Sequence, residues 1–125
     1  MIQDMKTNHA SFTQNAWAEY KKIGYVLCPA FDNEPVYFDR HGFRHILRKG
    51  RKKRSHHEQM KRLHLVKEAV EILKTSVTFS EWNVSSIIKP IACFWSFIVK
   101  RKKSKVKVLV RQLERRRKHF FSVFS

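Results

Sequence analysis

From Ser55 the chain reads SHHEQMKRLHLVKEAVEILKT, with Met60, Leu63, Val66, Val70 and Leu73 recurring in steps of three and four and Ala69 and Ile72 beside them. That spacing lines the apolar residues along one stripe and predicts a helix over 56–75. Ser55 and Glu58 fit a capping box, Ser55 at the N-cap and Glu58 reaching back to it. Glu58–Arg62, His64–Glu68 and Lys67–Glu71 are one-turn pairs on the wetter side.

After Val77 the period shortens. VTFSEWNV, IACFWSFIVK, KVKVLVRQLE and KHFFSVFS are rich in β-branched and aromatic residues, and Val106, Val108 and Val110 alternate with Lys105, Lys107, Leu109 and Arg111. A period of two predicts half-buried strands, and the short breaks RKKS and RRR suit hairpins. The four segments predict an antiparallel meander.

In the first third, Phe12, Ala16, Tyr20 and Ile23 lie near helical spacing ahead of Gly24, which suits a helix end. YVLCPAF and VYF read as short strands. Asp39 suits the cap of a brief helix over 40–48 that carries His41 and His45 on one face. Together these elements predict an α+β fold, N-terminal helices packed on a C-terminal antiparallel meander of about four strands. The 125 residues amount to a single domain over 1–125. Within it, 1–35 reads as a helical N-terminal extension.

Composition adds a core and a field. Hydrophobic residues make up 42 % of the chain and aromatics 13 %, enough for packing rather than disorder. The net charge of +17 is unevenly placed, −2 over residues 1–39 and +19 over 40–125. A field of that size favours a polyanion, and a phosphate backbone above others. Cys28 and Cys93 sit in apolar runs with no close-spaced partner and read as small buried hydrophobes. The N-terminus MIQDMKTNHASF lacks the charged-then-apolar pattern of a signal peptide. The most apolar run, IIKPIACFWSFIV, has 13 residues where a bilayer span needs about 20. A cytoplasmic protein with no membrane partner is the expectation.

The densest charge lies between Arg40 and His57, where eight Lys or Arg and four His stand without one acid. A metal site is the first reading, since His41-x-x-x-His45 has chelating spacing. Cationic neighbours oppose a dication, and no carboxylate or thiolate lies close in sequence, so no metal or cofactor is expected. Passive nucleic-acid binding is the second, with Trp82, Trp95 and some of the Phe available for base stacking or, equally, for the core. The third is a ribonuclease that needs no metal. RNA supplies its own nucleophile, the 2′-hydroxyl, so imidazoles can move the protons while guanidinium groups stabilise the phosphorane. A cationic setting also keeps imidazole neutral until phosphate arrives.

The segments RHILRKGRKKR and RRRKHFFSVFS, with a long helix between them, resemble the barnase–EndoU–colicin–RelE superfamily, in particular its phage-type and colicin D-like nucleases. The likeness covers about residues 36–125. It implies an RNA-cleaving toxin, held in check by an antitoxin or immunity protein. Colicin D-type members carry a catalytic histidine on a helix and Ser-x-aromatic in the last strand, which His45 and Ser122-x-Phe124 match. Those members have a Trp after the Ser and a Lys near the His; this chain has Phe124 and offers Arg44 or Arg48.

The expected site is therefore His45 as general base or acid, Arg48 and Arg51 on the scissile phosphate, and Ser122 donating to a phosphate oxygen. Strand alternation sets Ser122 on the face of Phe120 and Phe124. His56 and His57, at the start of the long helix, are candidate second proton carriers. Arg111 stands among valines, where a guanidinium needs a task or a partner, and joins as a phosphate contact. RNA and a small acidic antitoxin are the expected partners. The alternative is a non-catalytic basic RNA- or DNA-binding accessory protein.

Overall fold

The computed structural model describes residues 2–85 and 90–125, and side chains from residue 11 onward. The first residues of the run IIKPIACFWSFIV lie outside that description. The chain opens with α1 (Ile2–Lys21), whose end is followed by Gly24 at φ +68°, a left-handed position that costs glycine nothing. Strand β1 (Tyr25–Cys28) buries Val26 and Cys28 and leaves Tyr25 and Leu27 outside. A 3₁₀ turn at Pro29–Phe31 and left-handed Asp32 and Asn33 reverse the chain into β2 (Glu34–Tyr37).

Asp39 then caps α2 (Arg40–Leu47), its carboxylate accepting the His41 N–H at 3.1 Å. A short exposed hairpin follows, β3 (Arg48–Lys49) and β4 (Lys52–Lys53). Ser55 caps α3 (His56–Thr75), its hydroxyl accepting the Glu58 N–H at 3.1 Å. Glu58 does not complete the expected box: its carboxylate takes the Arg62 guanidinium at 3.0 Å. The last four strands are β5 (Glu81–Ser85), β6 (Ala92–Lys100), β7 (Lys105–Leu113) and β8 (His119–Phe124).

Among the described residues the architecture is α+β, with three α-helices and one main sheet. Strands β5 to β8 pair antiparallel in chain order, but the expected four-strand meander is only part of the sheet. Strand β2 joins β8 in parallel at Tyr37–His119, giving a six-stranded mixed sheet in the order β1-β2-β8-β7-β6-β5. The segment expected as a helical extension is α-helical only to Lys21. Its β1 belongs to the main sheet, and Tyr20, Val26 and Cys28 lie in the main core. Among the described residues no helix is long and apolar enough to cross a membrane.

One sheet face takes α2 and α3, and α1 reaches the same core through Tyr20. Phe43 and Ile46 of α2 and Val66, Ala69, Ile72 and Leu73 of α3 pack there with Val36, Val108, Val110, Phe120 and Val123. Each large apolar side chain removed from water there contributes about 1.5–3 kcal/mol. The β7–β8 ladder then slips. Val110 faces Phe120 and Leu109 faces Ser122, leaving Phe121 as an extra residue. Such a bulge breaks alternation. Ser122 therefore leaves the core face of Phe120, against the even alternation expected for this strand.

Candidate functional site

The site lies where α2 takes over from β2. Strand β2 pairs with β8 only at His119, and α2 packs along the rest of β8. The approach is close because residue 42 is glycine: a Cβ there would stand 2.5 Å from Phe120 Cδ2 and 2.6 Å from the Tyr20 hydroxyl. Seated so tightly, α2 sends Phe43 and Ile46 to the core. His41 and His45 go to the other side, against His119 and Phe121.

Arg111 organises that side. Its Nε donates to His119 Nε2 at 3.0 Å, and its Nη2 lies 3.3 Å from His41 Nδ1. The guanidinium sits 4.3 Å over the centre of the Phe121 ring. His41 and His119 stack on each other, ring centres 4.6 Å apart. A guanidinium can only donate, so both imidazole nitrogens that face it must carry lone pairs. Those lone pairs, which a metal would need, point at a cation. Among the described residues no group of three His, Cys, Asp or Glu is arranged to hold a metal.

His119 is 3 % exposed, and burial pushes its pKa down to about 4; Arg111 and His41 push the same way and Asp39 opposes them. His45 also packs on Phe121, ring centres 4.5 Å apart. Burial, followed by Arg54, Arg62, Arg111 and Lys49, lowers its pKa to about 4 as well. Its Nδ1 is buried without a partner among the described residues, while Arg54 Nε donates to its carbonyl at 3.0 Å. Both rings are thus neutral near pH 7 inside a cationic field, the condition expected of an idle proton acceptor.

Arg62 closes the far end. Its Nε is held by Glu58, and its Nη1 donates to Ser122 Oγ at 3.1 Å and to the Val123 carbonyl at 3.3 Å. It also lies 5.7 Å over the Phe124 ring, which Lys107 approaches from 6.0 Å. Ser122 is buried with its hydroxyl accepting from a guanidinium, free to donate its own proton onward.

Of the expected residues, His45, Arg111, Ser122 and Phe124 thus gather around Phe121 and Arg62. The others stand elsewhere. Arg48 and Arg51 are exposed on the hairpin, Arg48 Nη1 donating to the Arg51 carbonyl. His56 turns toward α1, its ring 4.6 Å from that of Phe12, and His57 is exposed one residue on. Trp95 packs on Phe31 and against Lys118, while Trp82 lies exposed on edge strand β5.

His119, Arg62 and Phe121 were not singled out from the sequence. Counting equal steps back and forward from the RRR turn would set Phe121 opposite Arg111, whereas the observed register sets His119 there. A separate cavity of about 610 Å³ lies between α1 and α3, lined by apolar residues such as Ala16, Ile23 and Leu63; none of the residues around Arg111 lines it. No protein-family model, curated protein or solved structure matches this chain.

Proposed function

We propose that this protein is a metal-independent endoribonuclease whose centre is Arg111 with its imidazoles. One observation carries the reading: a guanidinium bracketed by His41 and His119, over an aromatic ring that His45 shares. Fixed cations stabilise a phosphorane, and neutral imidazoles accept protons. In this reading Arg111 and Arg62 hold the scissile phosphate. As Nη2 of Arg111 turns to the phosphate, it frees His41 Nδ1 to take a proton from solvent. His45 removes the 2′-hydroxyl proton and the 2′-oxygen attacks phosphorus. The bond to the 5′-oxygen breaks, and His41 returns its proton to that oxygen. The products are a 2′,3′-cyclic phosphate and a 5′-hydroxyl, and water regenerates His45.

The test is cleavage of a labelled RNA oligonucleotide in excess chelator, with the ends identified by mass spectrometry. Cyclic-phosphate ends from the wild-type chain, and an intact oligonucleotide with His45→Ala, support the mechanism. Cleavage that needs added divalent metal overturns it. Binding without cleavage leaves a basic nucleic-acid-binding protein.

A nuclease of this charge is a hazard to the cell that makes it, so the reading extends to a toxin neutralised by a small acidic protein. Carboxylates of such a partner would compete with phosphate for Arg111 and Arg62 in bidentate geometry, and opposite charge would speed its arrival. Arrested growth on expression of the wild-type chain, absent with His45→Ala and relieved by an acidic protein encoded alongside, supports this. Normal growth with intact RNA overturns it.

A further inference from the structure

On the sheet face away from the core, a single row of directly paired residues crosses all six strands. Tyr25 pairs with Tyr37, Tyr37 with His119, His119 with Arg111, Arg111 with Phe94, and Phe94 with Asn83. Paired residues share a face. Their chain neighbours Val26, Val36, Phe120 and Val110 are core residues, so the row lies on the opposite face, where His41 of α2 reaches round to His119 and Arg111. At ~4.8 Å between strands the row spans roughly 24 Å, much longer than one phosphate site needs.

The half of the row beyond His119 is aromatic and open. Tyr25 is 54 % exposed, its ring centre 5.6 Å from that of Tyr37. The Arg117 guanidinium lies 4.0 Å over Tyr37, and the Arg117 side chain is itself 58 % exposed. Leu27, next along the same face of β1, is 51 % exposed. Aromatic and apolar surface left in water with a cationic rim marks a binding surface. Ring planes and a guanidinium plane set beside a phosphate-binding arginine suit a chain whose bases are unpaired. Each base has a face to stack, and each phosphate needs a cation. A duplex hides those base faces, and a net charge of +17 favours the polyanion over a protein partner.

We propose that this row is the track for a single-stranded segment of RNA, with the scissile phosphate at Arg111 and flanking bases over Arg117–Tyr37 and Tyr25. The proposal rests on the reading of Arg111 as the phosphate site. It adds the substrate class, single-stranded RNA, and the side from which the strand arrives.

The test uses a 2′-O-methyl oligonucleotide of about eight residues, within the usual site size of such surfaces and unable to be cleaved. Its binding to the wild-type chain is measured by fluorescence anisotropy at fixed salt. The same length is offered as a single strand, as a duplex and as a strand without bases. The single strand should bind at least about tenfold tighter than the other two, and Tyr25→Ala should weaken the single strand alone by about tenfold, the loss of one stacked base. Tyr25→Trp should restore it. Equal affinity for all three ligands, or an unchanged single-strand affinity in Tyr25→Ala, overturns the track. So does a dimer, seen by sedimentation, that Tyr25→Ala dissociates, since the patch is then a subunit interface. Because no bond is cut in this assay, single-strand binding without nuclease activity keeps the track and removes only the catalytic reading. Nuclease activity with equal affinities does the reverse.

Discussion

Arg111 and His119 face each other across the last hairpin, Nε donating to Nε2 at 3.0 Å, and this bond leaves the imidazole no role as an acid at that nitrogen. His119 is also buried. It therefore acts by holding Arg111. Arg111→Ala should lower kcat on the order of 10²–10³, the usual cost of removing a donor to a developing oxyanion. His119→Ala should lower it less, and should cost nothing further in the Arg111→Ala background. Additive losses in that double-mutant cycle would make His119 an independent catalyst.

His45 and His57 separate a built site from a merely basic surface. His45→Ala should reduce cleavage on the order of 10²–10⁴, the range for one general acid or base. His57→Ala, on the exposed first turn of α3, should stay within about twofold. With the His45 pKa at about 4, kcat/KM should fall on the acid side near pH 4, not near the 6.5 of a free imidazole. Equal small losses at both positions would point to plain electrostatic binding.

Stability should fall in mild acid. His45 and His119 titrate near 6.5 when unfolded and near 4 when folded. Between those values the unfolded chain binds more protons, so the folded state loses stability progressively as pH drops from about 6.5 to about 4, and the loss is complete below that. Thermal melts across this interval should show a Tm that declines with acidity, and His119→Gln should flatten the decline. A Tm constant from pH 7 to pH 4 would contradict the burial of both rings.

Gly42→Ala tests how α2 is seated. The added methyl meets Phe120 backbone and ring and the Tyr20 hydroxyl at 2.5–2.6 Å, none of it a flexible chain end. Overpacking of this kind costs about 1–3 kcal/mol, read as a lower midpoint in urea. Because α2 also presents His41 and His45, activity should fall by more than the unfolded fraction accounts for. An unchanged midpoint would mean that α2 can shift away from β8.

A graded contribution to RNA binding is expected of the basic hairpin. Arg48, Lys49, Lys52 and Lys53 are exposed there, directly after His45 in the chain. Replacing these four by Gln should weaken single-stranded RNA binding and reduce the slope of log K against log salt by ~0.7 for each phosphate that the hairpin no longer neutralises. An unchanged slope would place the RNA away from the hairpin.

Local physics made much of this legible from residue order alone. Helix α3 follows from its apolar period and from Ser55, whose hydroxyl accepts the Glu58 N–H. The valines of β7 declare a half-buried strand, and Asp39 caps the short helix bearing His41 and His45. Arg111 looked anomalous among valines, and its partners explain the anomaly. What residue order left open depends on distant pairing. The single parallel join of Tyr37 to His119 widens the sheet, ends β2 early and leaves β8 a flank for α2 to fill. The bulge at Phe121 sends Ser122 to Arg62 rather than beside Phe120, because one extra residue reverses the alternation. Charge density pointed equally to Arg48, Arg51, His56 and His57. Only the packing of α2 on β8, allowed by a glycine, decided which imidazoles reach a guanidinium. Chain order sets short-range periodicity and caps. A site that draws its residues from several elements is set by register and close approach, which no local pattern encodes.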